Sequence, residues 1–235
     1  MDDTVSPTTI SSHLTSFFFH NKVSVSLLLA VVIIAPMTLP NLGTIIAMTI
    51  TLLALLCCLK GGSIRLLGLS RPTSWPKTLL IGVAAGIGLQ ALFQFLLDPL
   101  FELITGSAID LSSMDSMKGN LEIALIYVAI GWVIGGFFEE LTYRSYIITR
   151  VRALVGETTV GTIIAIVLSV VPFGLAHLYQ GWAGTLSAAA MGLCFALIFV
   201  YNRYNIWIPI LVHGVSDMVG IALIYLDLAD KLRFF

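Results

Sequence analysis

Charged residues are scarce in this sequence. Asp, Glu, Lys and Arg make up only 11% of the 235 residues, whereas a soluble globular domain averages roughly 25%. The net charge is −1 and no long run of one sign is present, so nothing indicates nucleic acid as a partner. In place of charge the chain has 58% hydrophobic residues and a mean hydropathy of +1.00. This composition predicts an integral membrane protein.

Cysteine is also rare. The three cysteines, Cys57, Cys58 and Cys194, lie in apolar runs, where we expect membrane-buried thiols rather than a disulfide or a metal site. The N-terminus begins acidic and polar, and no small-residue cleavage pattern follows the first apolar run, so we expect that run to remain as an anchor. The predicted organisation is a polar N-terminal segment, residues 1–22, followed by one integral-membrane domain, residues 23–235.

Apolar runs long enough to cross a bilayer follow one another along the chain. Roughly 20 apolar residues span the hydrocarbon core as a helix, and lipid cannot satisfy an unpaired backbone amide. We therefore predict an all-α polytopic membrane helix bundle of about seven (six to eight) transmembrane helices. The seven candidates are Val23–Leu39, Gly43–Leu59, Leu79–Leu97, Leu121–Thr149, Val160–Leu178, Trp182–Tyr201 and Ile206–Leu226. The first two contain or border Pro36, Pro40 and Asn41, which favours a hairpin.

Two groups of glycines lie within these runs. Gly82, Gly86 and Gly88 belong to the third predicted helix, and Gly131, Gly135 and Gly136 belong to the fourth. Small residues let membrane helices approach closely, so we expect helix packing at all of them.

The distribution of Lys and Arg predicts the orientation of the chain. The loops after the second, fourth and sixth predicted helices carry the basic residues Lys60, Arg65, Arg71, Lys77, Arg150, Arg152 and Arg203. The loop from Phe101 to Asn120 is mainly acidic. The N-terminus is therefore predicted to be cytoplasmic, in a multi-pass protein of a prokaryotic cell membrane. With seven spans the C-terminus would lie outside. The basic residues Lys231 and Arg233 in the tail favour the cytoplasmic side instead, which would require one span more or one span fewer.

The sequence EELTYR places two carboxylates and a guanidinium at the end of an apolar run. On a helix, residues four apart share a face, whereas neighbours diverge by about 100°. Glu140 is thus expected to pair with Arg144. Glu139 points elsewhere, alongside Tyr143, and is left for chemistry.

Two further pairs of residues that include ionisable side chains lie in later apolar runs. Phe173 and His177 are four residues apart after Pro172, which removes a helix hydrogen bond, and His213 and Asp217 have the same spacing. Ionisable groups in membrane helices are costly and tend to face a bundle interior or cavity. One shared site explains the three groups together better than three separate structural roles.

The ordered set of motifs EExxxR, FxxxH and HxxxD/N, present as EELTYR, FGLAH and HGVSD, resembles the CPBP family. That family includes type II CAAX prenyl endopeptidases, Abi proteins and bacteriocin-processing proteins. The resemblance covers about residues 121–226, and the basic segment LGLSRPTSWPK is similar to a loop that often precedes this core.

The resemblance implies an intramembrane endopeptidase that acts on membrane-associated peptides or proteins. Glu139 would activate a water that His177 holds, while His213 and Asp217 would bind the oxyanion or orient substrate. Because an ionised Asp cannot donate a hydrogen bond, Asp217 is expected instead to orient His213. The supporting residues would be Glu140, Arg144, Tyr143 and Phe173.

Other interpretations stay open at this point. No cofactor is favoured, but Glu139, His177, His213 and Asp217 would suffice for zinc with an open position. Similar ionisable sets also mark proton-coupled transporters. A non-catalytic scaffold or immunity protein on the same fold is the third alternative.

The depth of His177 raises a geometric difficulty. At 1.5 Å per residue, Glu139 and Asp217 lie about 16 Å from their helix ends, whereas His177 lies about 28 Å from Thr158. A shared site therefore requires that the fifth helix starts late, tilts, or bends at Pro172.

Overall fold

The computed structural model describes residues 7–39, 41–61, 63–229 and 231–232, and these residues form helices joined by short loops. We number the helices α1 to α8. They are α1 Pro7–Phe19, α2 Lys22–Thr38, α3 Leu42–Gly61, α4 Trp75–Thr105, α5 Leu121–Val155, α6 Thr159–Leu175, α7 Gly181–Tyr201 and α8 Trp207–Tyr225. No strand occurs in the part of the chain described, so the structure is the all-α polytopic bundle expected from the apolar runs.

Each predicted membrane segment is helical, but the lengths differ from the prediction. Among the described residues, five helices are long and apolar enough to cross a membrane, namely α3, α4, α5, α8 and the stretch Leu178–Tyr201 that contains α7. A sixth span is formed if α1 and α2, which meet at an angle of 58°, count as one broken span. Helix α6 has only 17 residues and is shorter than these. It ends at Leu175, three residues after the internal Pro172.

Helices α4 and α5 are longer than expected and contain widened turns. α4 runs through a π-helical turn at Phe93–Leu97, and α5 is π-helical over Gly131–Ile148. In a π-helix each N–H bonds to the carbonyl five residues back, a rare geometry that often marks functional sites. The sequence predicts an ordinary α-helix at the EELTYR motif. That prediction is wrong in one respect, because the turns there are the wider turns of a π-helix. Residues four apart still share a face there.

Close glycine contacts hold α8 against α4 and α5. A Cβ on Gly82 would lie 2.4 Å from Cβ of Leu211, and one on Gly86 would lie 2.7 Å from Cβ of Val215. A Cβ on Gly136 would lie 3.2 Å from Cα of Gly214 across the α5–α8 contact. The expected packing role is wrong for Gly88 alone among these positions, because no atom of the described residues lies within 4 Å of its Cβ position.

The helix α1 falls within the segment that was expected only to be polar. Phe18 and Phe19 are buried at its end. The Tyr146 hydroxyl donates to the Phe18 carbonyl at 3.1 Å, and Arg150 Nη1 donates to the Phe19 carbonyl at 3.0 Å. The end of α5 thereby anchors α1. Residues 1–6, Pro40 and Arg233 lie outside the described residues.

The α2–α3 hairpin forms as expected, with Asn41 in the left-handed region at φ 65°. The basic loop between α3 and α4 is tied to the core. Ser145 Oγ donates to the Leu67 carbonyl at 2.8 Å, and the Ile206 amide donates to the Gly68 carbonyl at 3.1 Å. These bonds fix the loop against α5 and the start of α8.

Candidate active site

One cavity collects the ionisable residues of the three motifs. It has a volume of about 400 Å³, and Glu139, His177, His213 and Asp217 all line it. They come from α5, the turn after α6, and α8. The shared location that the spacing suggested is therefore present in the structure, although their chemical roles remain a separate question.

In the buried part of this site, Glu140 contacts both Arg144 and His213. Its side chain and that of Arg144 are both 0% exposed, and Arg144 Nη1 lies 3.1 Å from Glu140 Oε1. His213 Nδ1 lies 2.8 Å from the same oxygen. Because an ionised carboxylate can only accept, Nδ1–H donates to Glu140. The expected Glu140–Arg144 pair is formed, and it also fixes the orientation of His213.

The other nitrogen of His213 faces the carboxylates that line the cavity. Nε2 lies 3.8 Å from Glu139 Oε2 and 3.6 Å from Asp217 Oδ1. The side chains of Glu139 and Asp217 are 16% and 32% exposed. Both distances exceed a direct hydrogen bond. Glu140 makes the close hydrogen bond to His213, and Asp217 lies near the opposite ring nitrogen, so the role of Asp217 in orienting His213 stays a prediction.

Aromatic rings enclose the buried charges. The guanidinium carbon of Arg144 lies 4.2 Å from the ring centroid of Phe173 and 5.2 Å from that of Phe195. Phe195 also stacks on His213, with centroids 4.6 Å apart. Tyr143 contacts the edge of Phe173 at 5.1 Å. These rings exclude water and favour a cation through their π faces.

His177 lies outside the helix where the sequence placed it. It follows the end of α6 in a turn, so the expectation of a histidine within an apolar helix is wrong. Helix α6 begins at Thr159, which rules out a late start. His177 Nδ1 lies 2.8 Å from the Phe173 carbonyl. A carbonyl only accepts, so the neutral ring carries its proton on Nδ1 and leaves Nε2 as an acceptor.

Several residues of the site had no role in it that the sequence predicted. A Cβ on Gly135 would lie 2.4 Å from Asp217 Oδ2 and 3.3 Å from His213 Nε2, so this glycine makes room for both. Gly192 does the same for Arg144 Nη2 and Phe173. Phe195, three residues after Gly192, looked like any aromatic residue of an apolar helix. Only the contact between distant helices gives these residues a role.

The serines near the motifs have structural partners. Ser145 binds the Leu67 carbonyl, as described above, and Ser216 Oγ donates to the Gly86 carbonyl at 3.1 Å. Neither contacts a histidine in the hydrogen bonds of the described residues. They link helices and loops and do not form a nucleophile–base pair.

A metal centre is not assembled in the part of the chain that the structure describes. No group of three or more His, Cys, Asp or Glu side chains there has an arrangement that would hold a metal ion. The geometry of the described residues therefore gives the zinc alternative no support, and no step below is assigned to a metal.

Comparison with known proteins agrees with the motifs. Residues 121–219 match the family model of the Rce1-like type II CAAX prenyl endopeptidases. The matched range contains all four cavity-lining motif residues named above. No curated protein and no solved structure matches the chain. The match over residues 121–219 supports membership of the CPBP family, in agreement with the three motifs of this multi-pass membrane protein.

Proposed function

We propose that this protein is an intramembrane endopeptidase in which Glu139 activates a water for attack on a peptide bond. The observation that carries the proposal is that the two adjacent carboxylates, Glu139 and Glu140, have different environments. Glu140 is committed to Arg144 and His213, whereas Glu139 lines the cavity and lies 3.8 Å from His213 Nε2. A general base must be able to reach its substrate water, and the position of Glu139 on the cavity wall supports this assignment.

The first step is proton transfer from water to Glu139. The Nε2 acceptor of His177 would hold the same water, because Nδ1 is occupied by the Phe173 carbonyl. The resulting hydroxide attacks the scissile carbonyl carbon, the carbonyl π bond opens, and its electron pair becomes the oxyanion. The proton held by Glu139 then passes to the leaving amine as the C–N bond breaks. One carboxyl group thus acts first as base and then as acid.

His213 is the group best placed to stabilise the oxyanion. Its Nδ1 donates to Glu140, so the ring orientation is fixed before substrate binds. When Nε2 is protonated it donates into the space that Glu139 and Asp217 also face. A preorganised donor in a water-poor site is an effective way to stabilise such a transition state. Asp217 accepts only, so we assign it to holding substrate amide groups or the protonated ring.

The substrate class follows from the location of the site. The family name refers to endopeptidases of prenylated CAAX tails. A cavity built among membrane helices suits a peptide with an apolar anchor. We propose membrane-tethered peptides or membrane proteins as substrates and favour peptide substrates over prenylated tails.

Cleavage of a panel of membrane-tethered peptides tests the proposal. Purified wild-type protein is compared with Glu139→Gln in detergent, with and without a strong chelator. We expect cleavage that survives chelation and falls at least about 100-fold in the variant, since a general acid–base group contributes about 10²–10⁴-fold.

Other outcomes would assign the site differently. Loss of cleavage on chelation that zinc restores would support the metal alternative. Full activity in Glu139→Gln would contradict the glutamate mechanism. If no peptide is cleaved although a genetic phenotype disappears only in the Glu139→Gln strain, the substrate lies outside the panel. If the phenotype persists in that strain, the scaffold alternative gains support.

A further inference from the structure

We propose that the catalytic cavity opens toward the non-cytoplasmic face of the membrane, so that the substrates are peptide segments exposed on that face. The inference rests on the proposed function and extends it to a substrate class. Three features of the structure support it: the loops that meet at each end of the helix bundle, the distribution of basic side chains between the two ends, and the direction in which the cavity extends.

One end of the bundle, which we call the basic end, joins the α3–α4 loop, the α5–α6 turn and the α7–α8 loop. Asn205 Nδ2, between α7 and α8, donates to the Ser70 carbonyl of the α3–α4 loop at 2.7 Å. The guanidinium carbon of Arg152, near the end of α5, lies 4.3 Å from the ring centroid of Tyr204. The end of α5 also anchors the end of α1, as described above. These segments are therefore adjacent in space.

The opposite end of the bundle joins the loop after α4, the turn after α6 and the end of α8. The Asp110 amide donates to the Gln180 carbonyl at 3.0 Å. The Gly119 amide donates to the Tyr225 carbonyl at 2.9 Å. Helices α4, α6 and α8 all run from the basic end to this end.

Basic side chains are concentrated at the basic end. The Lys and Arg residues in the segments that form it are Lys22, Lys60, Arg65, Arg71, Lys77, Arg150, Arg152 and Arg203. At the opposite end the described basic residues are Lys118 and Lys231, and both form ion pairs with aspartates. Short loops rich in Lys and Arg stay in the cytoplasm. The basic end is thereby assigned to the cytoplasm.

The cavity extends from the proposed catalytic residues toward the opposite end. Its lining includes Ile109, Leu111 and Met114 of the loop after α4, and Ala229 of the segment after α8. Tyr179, in the turn after α6, also lines the cavity and is 56% exposed. The cavity therefore reaches the surface of the bundle at this end.

Packed apolar side chains close the cavity toward the basic end. Among the described residues, the cavity lining includes none from the three loops that form that end. The positions along α5, α7 and the start of α8 that separate those loops from the site belong to one apolar core and are 0% exposed; they include Leu141, Ile147, Ile148, Phe199 and Ile206. A peptide that entered through this core would leave its main-chain polar groups without partners, which is costly.

Access from one side restricts the substrate. A peptide anchored in the cytoplasmic leaflet, with its scissile bond on that side, meets the closed end of the bundle. A peptide segment that has crossed the membrane, or the external end of a membrane protein, can enter beside Tyr179. The expected substrates are therefore exported peptides or membrane proteins whose scissile bond lies on the non-cytoplasmic side.

Cysteine accessibility tests the direction of the cavity without requiring cleavage. In a protein whose three native cysteines are replaced by alanine, Ala188→Cys places a thiol on the cavity wall. Ala190→Cys is the matched control, because Ala190 is half-buried on the same helix and does not line the cavity. Sealed right-side-out and inverted membrane vesicles are treated with a permanently charged methanethiosulfonate.

The rate of labelling is the readout. We expect Ala188→Cys in right-side-out vesicles to react at least about tenfold faster than in inverted vesicles, and faster than Ala190→Cys by the same factor, because only a hydrated thiol ionises to the reactive thiolate. Ser107→Cys and Glu157→Cys, exposed at the opposite end and the basic end respectively, report which end is accessible in each preparation.

Three results would overturn the inference. Reaction of Ala188→Cys from the same side as Glu157→Cys would contradict the direction of the cavity. Reaction of Ala188→Cys together with Ser107→Cys, but only in inverted vesicles, would contradict the assignment of the basic end to the cytoplasm. A lack of reaction from either side would contradict an open cavity.

A pair of reporter peptides then tests the substrate class. The same peptide sequence is tethered to a transmembrane anchor and displayed on one face or the other, with Glu139→Gln protein as the control for other proteases. We expect cleavage only on the non-cytoplasmic face, and equal cleavage on both faces would contradict the inference. If Ala188→Cys reacts from outside but wild-type protein cleaves neither peptide, the direction of the cavity stands and the endopeptidase proposal fails.

Discussion

At the scale of single residues, adjacent positions in this site have different environments. Glu139 and Glu140 differ by one position, yet one lines the cavity and the other is fully buried between Arg144 and His213. The cost of burying Glu140 is offset by a cation and a ring N–H at the same oxygen. The same amino acid therefore has a positioning role at one position and a proposed chemical role at the next.

The same substitution at both positions should separate these roles. We expect Glu139→Gln to abolish cleavage and to keep the thermal unfolding temperature near that of the wild type. Glu140→Gln leaves the buried Arg144 cation without its counter-ion, which costs about 3–5 kcal/mol in comparable buried pairs. Differential scanning fluorimetry in detergent measures both. Equal unfolding temperatures for the two variants would contradict the buried-pair assignment.

Gly135 makes room for two site residues. We expect Gly135→Ala to displace the Asp217 carboxylate, whose Oδ2 would lie 2.4 Å from the new carbon. Because that carboxylate is partly exposed, it can move, and the fold should persist. A displacement of about 1 Å at a reacting group can lower the rate by about 100-fold. Cleavage rate and unfolding temperature are measured together.

Gly88→Ala is the matched control for this glycine. In the part of the chain that the structure describes, no atom lies within 4 Å of the Gly88 Cβ position. The alanine should therefore only improve helix propensity, by up to about 1 kcal/mol. We expect unchanged cleavage. Full activity in Gly135→Ala would contradict a role of the Asp217 carboxylate in the proposed reaction.

At the scale of structural elements, the loop before α4 and the start of α8 depend on each other. Gly68 adopts the left-handed conformation, with φ 67°. Its carbonyl accepts a hydrogen bond from the Ile206 amide. A Cβ there would lie 2.3 Å from the Tyr204 carbonyl oxygen. The loop thus fixes where α8 begins, and α8 carries His213.

A pair of alanine substitutions isolates that contact. Gly68 and Gly106 have nearly the same φ, 67° and 68°. A Cβ on Gly106, however, would have no atom of the described residues within 4 Å. A left-handed conformation costs a non-glycine residue about 1–2 kcal/mol. We therefore expect Gly106→Ala to lose about that amount and Gly68→Ala to lose clearly more, because Tyr204 must also shift. Thermal unfolding in detergent is the measurement, and equal losses would contradict a close approach at Gly68.

At the scale of the whole molecule, the orientation in the membrane is an expectation from charge. Basic residues are concentrated in alternate loops, which predicts that the α5–α6 turn faces the cytoplasm and the loop after α4 faces outward. Ser107 and Glu157 are exposed in these two places. They are therefore suitable positions for labelling.

Cysteine labelling on intact cells should distinguish the two sides. In a protein whose three native cysteines are replaced by alanine, we expect Ser107→Cys to react with an impermeant maleimide and Glu157→Cys to react only after permeabilisation. The reverse pattern would invert the topology, and labelling of both positions would contradict a single orientation.

The sequence determined the class of fold and the chemical groups of the site. Apolar runs predict helices because lipid leaves the backbone no other partner. Spacings of four residues correctly paired Glu140 with Arg144 because both lie on one helix. Such short-range relations depend on helical periodicity alone, so they can be inferred without knowing how helices pack.

Only the tertiary structure decided the contacts between distant segments. The hydrogen bond from His213 to Glu140 joins residues 73 positions apart, and the one from Ser187 to Asp98 joins residues 89 apart. The short α6, the position of His177 beyond its end and the space at Gly135 depend on which helix faces meet. Helical periodicity places a side chain on a face of its own helix, but packing determines which atoms of another helix that face contacts.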